Sequence, residues 1–493
     1  MRLSLNIRLI LVILSYISVI LGGTMLVGLV CSIVYSETDM SRIFFALMLV
    51  LVLLGLAGIR FARRRQGPQT IRIREGLLSV TLCWVFAAVL CALPYLLSGT
   101  HHSFIDAFFE GTSCITTTGS TLIEDLSLLP KSLLFWRQLT NWLGGLGIII
   151  FAITIIPMLG FGAANLAGAE ATGQSLEKLQ TGMSATARYI FTLFLVLTGV
   201  EVVLLSVGGT GLYDAFVLSF ACMGTGGFAN YQPGVMLGGN LFVEIVVAVF
   251  CVIAILSFIS YKLLLSRRIR DFFREVEIRL FFIMLAVVCA VVSIILLASG
   301  TYDGGVWETL RKGIFQTVSF TTTAGYTGAD FDYWPSATHW VLVAVMIIGG
   351  CSGSTSGGIK VVRAAVAWSL IRNNIYKRLH PNAVVAVKIG DRVVDPGRVS
   401  SIATFFILYI FIALVSCFVL SFDNLDTGTT VGTVIAMMSN TGLVIGPGLG
   451  FGDSFIVFSG FSRVYMSILM IAGRLELLTL VLLFSPAFWR PYR

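Results

Sequence analysis

Charged residues are scarce in this chain. Asp, Glu, Lys and Arg together make up 12% of its 493 residues, whereas hydrophobic residues make up 57%. A soluble protein of ordinary composition carries about 25% charged residues. So little charge cannot supply a polar surface for a soluble protein of this length, and the composition therefore predicts a polytopic, all-α integral membrane protein.

Metal-binding and disulfide patterns are also missing. The four histidines fall at positions 101, 102, 339 and 380, and their spacing suits no metal site. The nine cysteines occur singly and form no CxxC pair, so neither a zinc site nor a disulfide framework is indicated. The sequence also holds no nucleophile–base constellation, and we expect a protein that is not an enzyme.

Long apolar runs are abundant instead. A helix needs about 20 apolar residues to cross the hydrocarbon core of a bilayer. The first run continues to about Val34 without a small-residue cleavage site, which indicates a retained helix and not a signal peptide. The ten predicted spans cover residues 7–35, 41–62, 77–98, 135–158, 188–207, 241–264, 277–299, 339–371, 399–421 and 461–484.

Shorter apolar segments lie between some of these spans. Each is too short to cross a bilayer, and its length fits a re-entrant helix that enters and leaves on one side. An amphipathic surface helix is the alternative for each segment taken alone. The segments cover residues 104–116, 212–224, 306–321 and 428–438.

Positive charge is distributed asymmetrically along the chain. If the N-terminus is cytoplasmic, all but seven of the 33 Lys and Arg residues fall in inner segments, as the positive-inside rule requires. Ten spans then place both termini in the cytoplasm, and topology explains the net charge of +8 without nucleic acid. The outer segments carry acidic residues, among them Asp106 and Glu110, which we expect to concentrate cations. The seven exceptions are Arg42, Lys131, Arg137, Arg311, Lys312, Arg463 and Arg474.

A Thr/Gly-rich tract follows each short segment and marks an internal repeat. The tracts read TTGS (tract 1), TGGF (tract 2), TAGY (tract 3) and NTGL (tract 4). Their third residue is always glycine, and these glycines lie roughly 100 residues apart. The repeating unit is span, short helix, tract, span. The tract glycines are Gly119, Gly227, Gly325 and Gly442.

The tracts have the chemistry of a cation path. A short helix that ends inside the membrane directs its C-terminal carbonyls, the negative end of its dipole, toward the centre. Glycine lets the following backbone turn without a side-chain clash, and irregular backbone at that depth must line a polar path. Four such tracts around one axis would form a ring of carbonyl oxygens, as in the four TVGYG loops of potassium filters. Four ordinary glycine turns are the alternative.

Several stretches resemble the superfamily of potassium transporters, specifically the bacterial Trk-type potassium uptake subunits (TrkH and TrkG). The extra N-terminal pair of spans favours this branch over related subunits that lack the pair. The stretches are FWRQLTNWLGGLGIIIFAI, RKGIFQTVSFTTTAGYTGADF, GGCSGSTSGGIK and GRLELLTL.

The resemblance implies passive, channel-like potassium translocation across the bacterial inner membrane, with potassium as the substrate and no cofactor. It also implies a homodimer and a cytosolic, TrkA-like ring of nucleotide-binding regulatory subunits. A symporter that couples potassium to protons or sodium is the alternative, and its titrating carboxylate would be Glu201, Glu244 or Glu476. The implied potassium-binding residues are Thr117, Thr118, Gly119, Ser120, Thr225, Gly226, Gly227, Phe228, Thr323, Ala324, Gly325, Tyr326, Asn440, Thr441, Gly442 and Leu443.

The repeats divide the chain into five predicted units around a pseudo-fourfold central pore. The units are an N-terminal helix pair (1–70), pore repeat 1 (71–160), pore repeat 2 (161–265), pore repeat 3 with a broken second span (266–378) and pore repeat 4 (379–493).

The stretch GGCSGSTSGGIK interrupts the second span of repeat 3. The apolar run before it, from Trp340 to Ile348, gives about 14 Å of helix, whereas the hydrocarbon core is about 30 Å thick. The stretch therefore begins near mid-membrane, where we expect a gate beneath the tracts. A static kink between closely packed helices is the alternative; a phosphate-binding loop would need a G-K-[ST] ending. The predicted gate comprises Gly349, Gly350, Cys351, Ser352, Gly353, Ser354, Thr355, Ser356, Gly357 and Gly358, together with Arg474.

Arg474 stands in the middle of the last apolar run. A charge there costs at least about 2.5–3.5 kcal/mol unless it faces a cavity or a partner. We expect Arg474 to lie beside the ion path and to add a barrier to cations, which the resemblance also implies. A buried ion pair with Glu201 or Glu476 is the alternative.

Overall fold

A computed structural model describes residues 6–63, 73–158, 183–228, 239–383, 385–390, 392–449, 454–475 and 477–489. The chain is helical throughout most of these ranges, and a short antiparallel hairpin joins β1 (Lys388–Ile389) to β2 (Arg392–Val393). The helices are α1 (Ile7–Val34), α2 (Thr38–Arg63), α3 (Ile73–Leu97), α4 (Phe104–Ile115), α5 (Lys131–Met158), α6 (Met183–Val207), α7 (Leu212–Gly224), α8 (Leu241–Ala254), α9 (Tyr261–Leu265), α10 (Ile269–Arg274), α11 (Val276–Ser299), α12 (Gly305–Thr321), α13 (Ser336–Ile348), α14 (Val361–Leu379), α15 (Pro396–Leu420), α16 (Thr427–Ser439), α17 (Gly460–Leu475), α18 (Leu477–Phe484) and α19 (Pro486–Trp489).

The N-terminal helix pair, α1 and α2, is fastened to the first repeat by the turn between the two helices. The Glu37 carboxylate in that turn accepts hydrogen bonds from the backbone N–H of Lys131 (2.6 Å) and of Ser132 (3.1 Å). These N–H groups begin α5 and have no partner within their own helix. Glu37 therefore caps the second span of repeat 1 and fixes the pair against it.

The four short segments form helices between the two spans of their repeats. These helices are α4, α7, α12 and α16, and we call them pore helices 1 to 4. Most of their side chains are buried in protein, including Phe109 in α4 and Met437 in α16. An amphipathic helix on the protein surface would keep one face exposed, so that alternative does not describe these segments.

The second spans of repeats 1 and 2 are interrupted as well as that of repeat 3, whereas the apolar pattern predicted a break only in repeat 3. Repeat 1 has a non-helical Gly147 (φ 69°, ψ 159°) inside α5, and α8 of repeat 2 ends at Ala254. Six helices among the described residues are long and apolar enough to cross a membrane as single helices, and they cover the predicted spans other than the second span of each repeat.

The second spans of repeats 1 and 4 pack closely against the C-terminal ends of pore helices. Gly145 lies so near Gly224 that an added Cβ would approach the Gly224 Cα to 2.7 Å, and Gly473 approaches the Met438 carbonyl oxygen in the same way, at 2.5 Å. Small residues allow helices to meet at such distances. Glycine in these two spans thus permits close contact with the ends of the pore helices.

The outer faces of the spans are apolar. On α15 the exposed side chains recur at helical spacing, whereas Phe405, Tyr409 and Leu420 on the opposite side are buried. In a protein of this composition such a face meets lipid, because a helix satisfies its own backbone hydrogen bonds there. The exposed residues of α15 are Ile407, Ile410, Phe411, Leu414 and Phe418.

Candidate functional site

Each pore helix ends in the same backbone turn. In tract 1 the N–H of Thr117 donates to the carbonyl of Cys114 (3.1 Å), and the N–H of Thr118 donates to the carbonyl of Ser113 (2.9 Å). This pair of bonds is the Schellman motif, in which the residue after the helix is left-handed. The same bonds recur in tracts 2 to 4, and the left-handed residues are Thr117 (φ 58°), Thr225 (φ 56°), Thr323 (φ 54°) and Asn440 (φ 51°).

Threonine in a left-handed conformation is unusual. A β-branched side chain clashes with its own backbone at positive φ, yet three of the four tracts place threonine there. Strained backbone of this kind concentrates at ligand-binding and switch sites. The repetition of the strain in three tracts makes them the candidate functional site.

The tract glycines close the four tracts into a ring. All four are left-handed, with φ between 58° and 90°. A Cβ on any of them would strike the carbonyl oxygen of the second residue in the next tract. The contacts run from Gly119 to Gly226, from Gly227 to Ala324, from Gly325 to Thr441 and from Gly442 back to Thr118, so the structure brings together all the predicted tract residues in chain order.

Side chains behind the ring join neighbouring tracts. The Asn440 Nδ2 donates to Thr118 Oγ1 (3.0 Å) and to the carbonyl of Met470 (2.9 Å), which links tract 4 to tract 1 and to α17. The Tyr326 hydroxyl donates to the carbonyl of Leu218 in pore helix 2 (2.9 Å). The aromatic end of tract 3 is thus a brace buried behind the ring.

The stretch Gly349–Gly358, which we call the glycine loop, contacts the ring directly. The Thr225 Oγ1 donates to the carbonyl of Thr355 (3.1 Å), and the N–H of Gly357 donates to Thr323 Oγ1 (3.0 Å). Thr225 and Thr323 are the left-handed first residues of tracts 2 and 3. The loop therefore lies against the end of the ring where the pore helices finish.

The glycine loop leaves and rejoins its span at one narrow neck. Just after the loop, the N–H of Ile359 donates to the carbonyl of Ile347 (2.9 Å), and the N–H of Lys360 donates to the carbonyl of Ile348 (2.7 Å). At the neck, a Cβ on Gly349 would meet the Gly358 Cα at 3.2 Å. Closely spaced ends are typical of an Ω-loop. The segment is therefore a loop that leaves the span and returns to it.

Hydrogen bonds tether the glycine loop to the break in repeat 2. The Thr355 hydroxyl donates to the carbonyl of Ala254 (3.0 Å), and the N–H of Cys351 donates to that of Ile255 (3.1 Å). The N–H of Ser352 donates to the Glu277 carboxylate at the start of α11 (2.6 Å). The loop is therefore held by two neighbouring elements as well as by the ring.

Arg474 bridges the glycine loop and α5. Its Nη1 donates to the carbonyl of Thr355 (2.6 Å), and its Nη2 donates to that of Gly144 (2.7 Å). The alternative, an ion pair with Glu201, does not form, because neither Glu201 carboxylate oxygen has a hydrogen-bond partner among the described residues. Glu476 lies outside the described residues. The structure thus places Arg474 with the rest of the predicted gate.

The acidic outer mouth differs from the expectation. Asp106 pairs with Arg463 (2.5 Å), and Glu110 pairs with Arg137 in the interior (2.9 Å), so neither presents a free charge to cations. Asp106 and Glu110 lie in an apolar helix, so each negative charge needs a positively charged side chain beside it. Asp125 does remain partly exposed, and hydrogen bonds from the Ser127 side chain and backbone hold the pKa of its carboxyl below the usual range.

Comparisons with known proteins agree with this architecture. The chain matches the family TrkH, described as "Cation transport protein", over residues 39–490. It is 31% identical to the Trk system potassium uptake protein TrkH of Halomonas elongata over 98% of this chain and 100% of that protein. It is 32% identical to the Trk system potassium uptake protein TrkG of Escherichia coli over 95% of each.

A solved structure has the same fold. The crystal structure of the potassium transporter TrkH from Vibrio parahaemolyticus superposes with a TM-score of 0.86 at 29% identity, over 98% of this chain and 100% of that chain. The predicted all-α membrane fold and the resemblance to Trk-type subunits are both confirmed.

Proposed function

Because the chain belongs to the TrkH family of cation transport proteins, we propose that the ring of four tracts is the selective part of a gated potassium pore. Its full-length relatives are potassium uptake proteins. The chain accordingly carries potassium across a membrane, is a transporter and not an enzyme, and takes potassium as its substrate without a cofactor. The closure of the ring through its four glycines is the observation that carries the proposal.

In this proposal the tracts coordinate potassium chiefly through main-chain oxygens. Carbonyl groups that replace the hydration shell of an ion select by the number and field strength of their dipoles. The repeated left-handed residues give the four tracts one backbone form despite their different side chains. Ions then move passively, driven by the membrane potential. The binding residues are those predicted at Thr117–Ser120, Thr225–Phe228, Thr323–Tyr326 and Asn440–Leu443.

The glycine loop and Arg474 form the gate in this proposal. The loop bonds to tracts 2 and 3, and the positive Arg474 holds Thr355 from the side of α5. A cation that leaves the ring in this direction meets both a polypeptide segment and a positive charge. Opening requires that these hydrogen bonds break and that the loop moves aside.

We also propose the surroundings in which the pore works. The asymmetric Lys and Arg distribution favours both termini in the cytoplasm. In this proposal the protein resides in the bacterial inner membrane. The relatives are named as parts of a Trk system, which supports a role in a multi-component assembly. In this proposal the assembly is a homodimer regulated by a cytosolic, TrkA-like nucleotide-binding ring. The basic inner segments offer that ring a docking surface.

Rubidium flux tests the function. In proteoliposomes that contain the purified protein, we expect Rb⁺ uptake to follow the membrane potential with or without a pH gradient. Expression should also restore growth of a potassium-uptake-deficient bacterium at low potassium. Failure to accumulate Rb⁺ above protein-free liposomes would contradict the proposal.

Proton-coupled symport is the second candidate, and Glu201 favours it. This carboxyl is fully buried in α6, and neither of its oxygens has a hydrogen-bond partner among the described residues. A buried carboxyl of this kind is costly as an anion and can carry a proton. If Rb⁺ uptake required a pH gradient and Glu201→Gln abolished it, symport would replace the channel-like mechanism; we expect Glu201→Gln to leave Rb⁺ uptake intact.

Arg474→Ala is expected to raise the Rb⁺ flux by about tenfold. The change removes hydrogen bonds from a charged donor, worth about 1.5–3 kcal/mol each, and 1.4 kcal/mol corresponds to a factor of ten. Arg474→Lys separates the effect of the positive charge from that of the hydrogen bonds, since lysine keeps the charge but loses the forked geometry of the guanidinium. The matched control is Arg279→Ala, which removes an exposed arginine from α11. Equal fluxes in Arg474→Ala and in the control would contradict a gating role.

A further inference from the structure

A buried ion pair lies behind the ring on the side of tracts 1 and 2. The Arg137 Nε on α5 donates to the Glu110 carboxylate in pore helix 1 at 2.9 Å, and the two side chains are 1% and 0% exposed. Burial of two charges is unfavourable unless their geometry and remaining hydrogen bonds compensate it. We therefore considered what else the two side chains hold.

Glu110 also binds the chain that leaves tract 1. Its carboxylate accepts a hydrogen bond from the N–H of Leu122 (3.1 Å) and from Thr121 Oγ1 (3.0 Å). Thr121 and Leu122 directly follow the last residue of tract 1. The carboxylate thus ties the outer end of the tract to its own pore helix.

Repeat 3 makes the same connection with a neutral side chain. Gln316 stands nine residues before its tract glycine, as Glu110 does. Its Oε1 accepts from the N–H of Gly328 (2.9 Å), the counterpart of the Leu122 bond, and its Nε2 donates to the carbonyl of Tyr326 (3.3 Å). In repeats 1 and 3 the side chain nine residues before the tract glycine therefore binds the chain that leaves the tract. Only repeat 1 has a charged residue at this position, because the counterparts in repeats 2 and 4 are Leu218 and Thr433.

Arg137 carries the connection across to tract 2. Its guanidinium lies over the ring of Phe228, 3.7 Å from the ring centroid. The adjacent Gln138 donates to the carbonyl of the same residue (3.1 Å). Phe228 is the last residue of tract 2, so one turn of α5 holds both its side chain and its carbonyl.

We infer that Glu110 and Arg137 are positioning residues for ion selectivity, because together they fix the outer ends of tracts 1 and 2 relative to each other. The inference rests on the proposed role of the ring as the selective part of the pore. A carbonyl ring discriminates between ions by the spacing and field of its oxygens. Loosening the two tracts should admit Na⁺ more readily while leaving the path open to Rb⁺.

The test compares Rb⁺ and Na⁺ flux in proteoliposomes of purified variants. Glu110→Gln keeps the size of the side chain but leaves Arg137 without its counter-charge. We expect it to lower the Rb⁺/Na⁺ flux ratio by about tenfold, the equivalent of 1.4 kcal/mol. The matched control is Glu308→Gln in pore helix 3, which breaks a partly exposed pair with Lys312 and should leave the ratio unchanged.

A double variant, Glu110→Gln with Arg137→Met, distinguishes positioning from stability. Replacing both members of a buried pair avoids an orphaned charge and is commonly neutral for folding. The double variant keeps a glutamine that can bind the chain after tract 1, as Gln316 does in repeat 3, but it removes the contact between Arg137 and Phe228. We expect a wild-type melting temperature together with a lowered flux ratio.

Two outcomes separate failure of this inference from failure of the proposed function. A wild-type flux ratio in the folded double variant would overturn the inference and leave the pore intact. A wild-type protein that did not prefer Rb⁺ to Na⁺ would instead overturn the selective role of the ring.

Discussion

Excision of Ser352–Ser356 is expected to raise the passive Rb⁺ flux by about tenfold or more. A minor conformation commonly holds on the order of 0.1–10% of a protein population, so permanent removal of a blocking segment makes a rare open state the only state. The excised residues include Thr355, whose carbonyl accepts hydrogen bonds from both Thr225 and Arg474. Flux into proteoliposomes, at equal protein content, measures the effect.

The geometry of the neck makes this excision tolerable. A Cβ added to Gly349 would lie 3.2 Å from the Gly358 Cα, so the two ends of the loop are already close. The hydrogen bond between Lys360 and Ile348 lies outside the excised segment. Shortening the loop therefore need not move α13 or α14. Circular dichroism and a melting curve establish that the variant remains folded.

Two comparisons make the excision informative. Thr355→Val removes only the hydroxyl bond to Ala254 and should raise the flux less than the excision does. Ser299→Ala changes an exposed residue at the outer end of α11 in the same repeat and should leave the flux unchanged. If the folded excision variant conducts no faster than Ser299→Ala, the loop is only a structural connection.

Repetition made much of this architecture predictable. The pore helices were expected at 104–116, 212–224, 306–321 and 428–438, and each begins and ends within one residue of those bounds. Their short apolar lengths and following tracts are local features, so one sequence is enough to find them. The excursion at Gly349–Gly358 was visible for the same reason, since its composition departs from the surrounding apolar run.

Features that depend on tertiary contacts were not predictable in the same way. The breaks at Gly147 and Ala254 interrupt predicted apolar spans. Tertiary contacts surround both breaks: Gly145 packs against Gly224, and the carbonyls of Ala254 and Ile255 accept hydrogen bonds from the glycine loop. Glu110 looked like an acidic residue of an outer segment, and only the fold places it against Arg137. The available signal was two opposite charges, each inside an otherwise apolar segment, which must find partners.

The tract glycines carry the largest expected loss of function. Gly325→Ala places a Cβ 2.5 Å from the carbonyl oxygen of Thr441, and Gly442→Ala meets the backbone of tract 1. Because the obstructing atoms are backbone and not a flexible side chain, the ring itself must shift. A misplacement of about 1 Å in a preorganised site can lower its rate by about 100-fold. We expect each variant to lower Rb⁺ uptake by about that factor and to fail in growth rescue at low potassium.

Gly300→Ala supplies the matched control, because Gly300 differs from the tract glycines in one respect. It is also left-handed (φ 62°), at the end of α11, but no heavy atom of the described residues beyond its chain neighbours lies within 4 Å of an added Cβ. Alanine at either site carries the strain of a left-handed residue, about 1–2 kcal/mol, whereas only the tract variants add the collision between neighbouring tracts. Gly300→Ala should therefore retain Rb⁺ uptake. Equal losses in Gly300→Ala and Gly325→Ala would show that backbone strain alone limits the protein, and would contradict a ring whose selectivity depends on contact between its tracts.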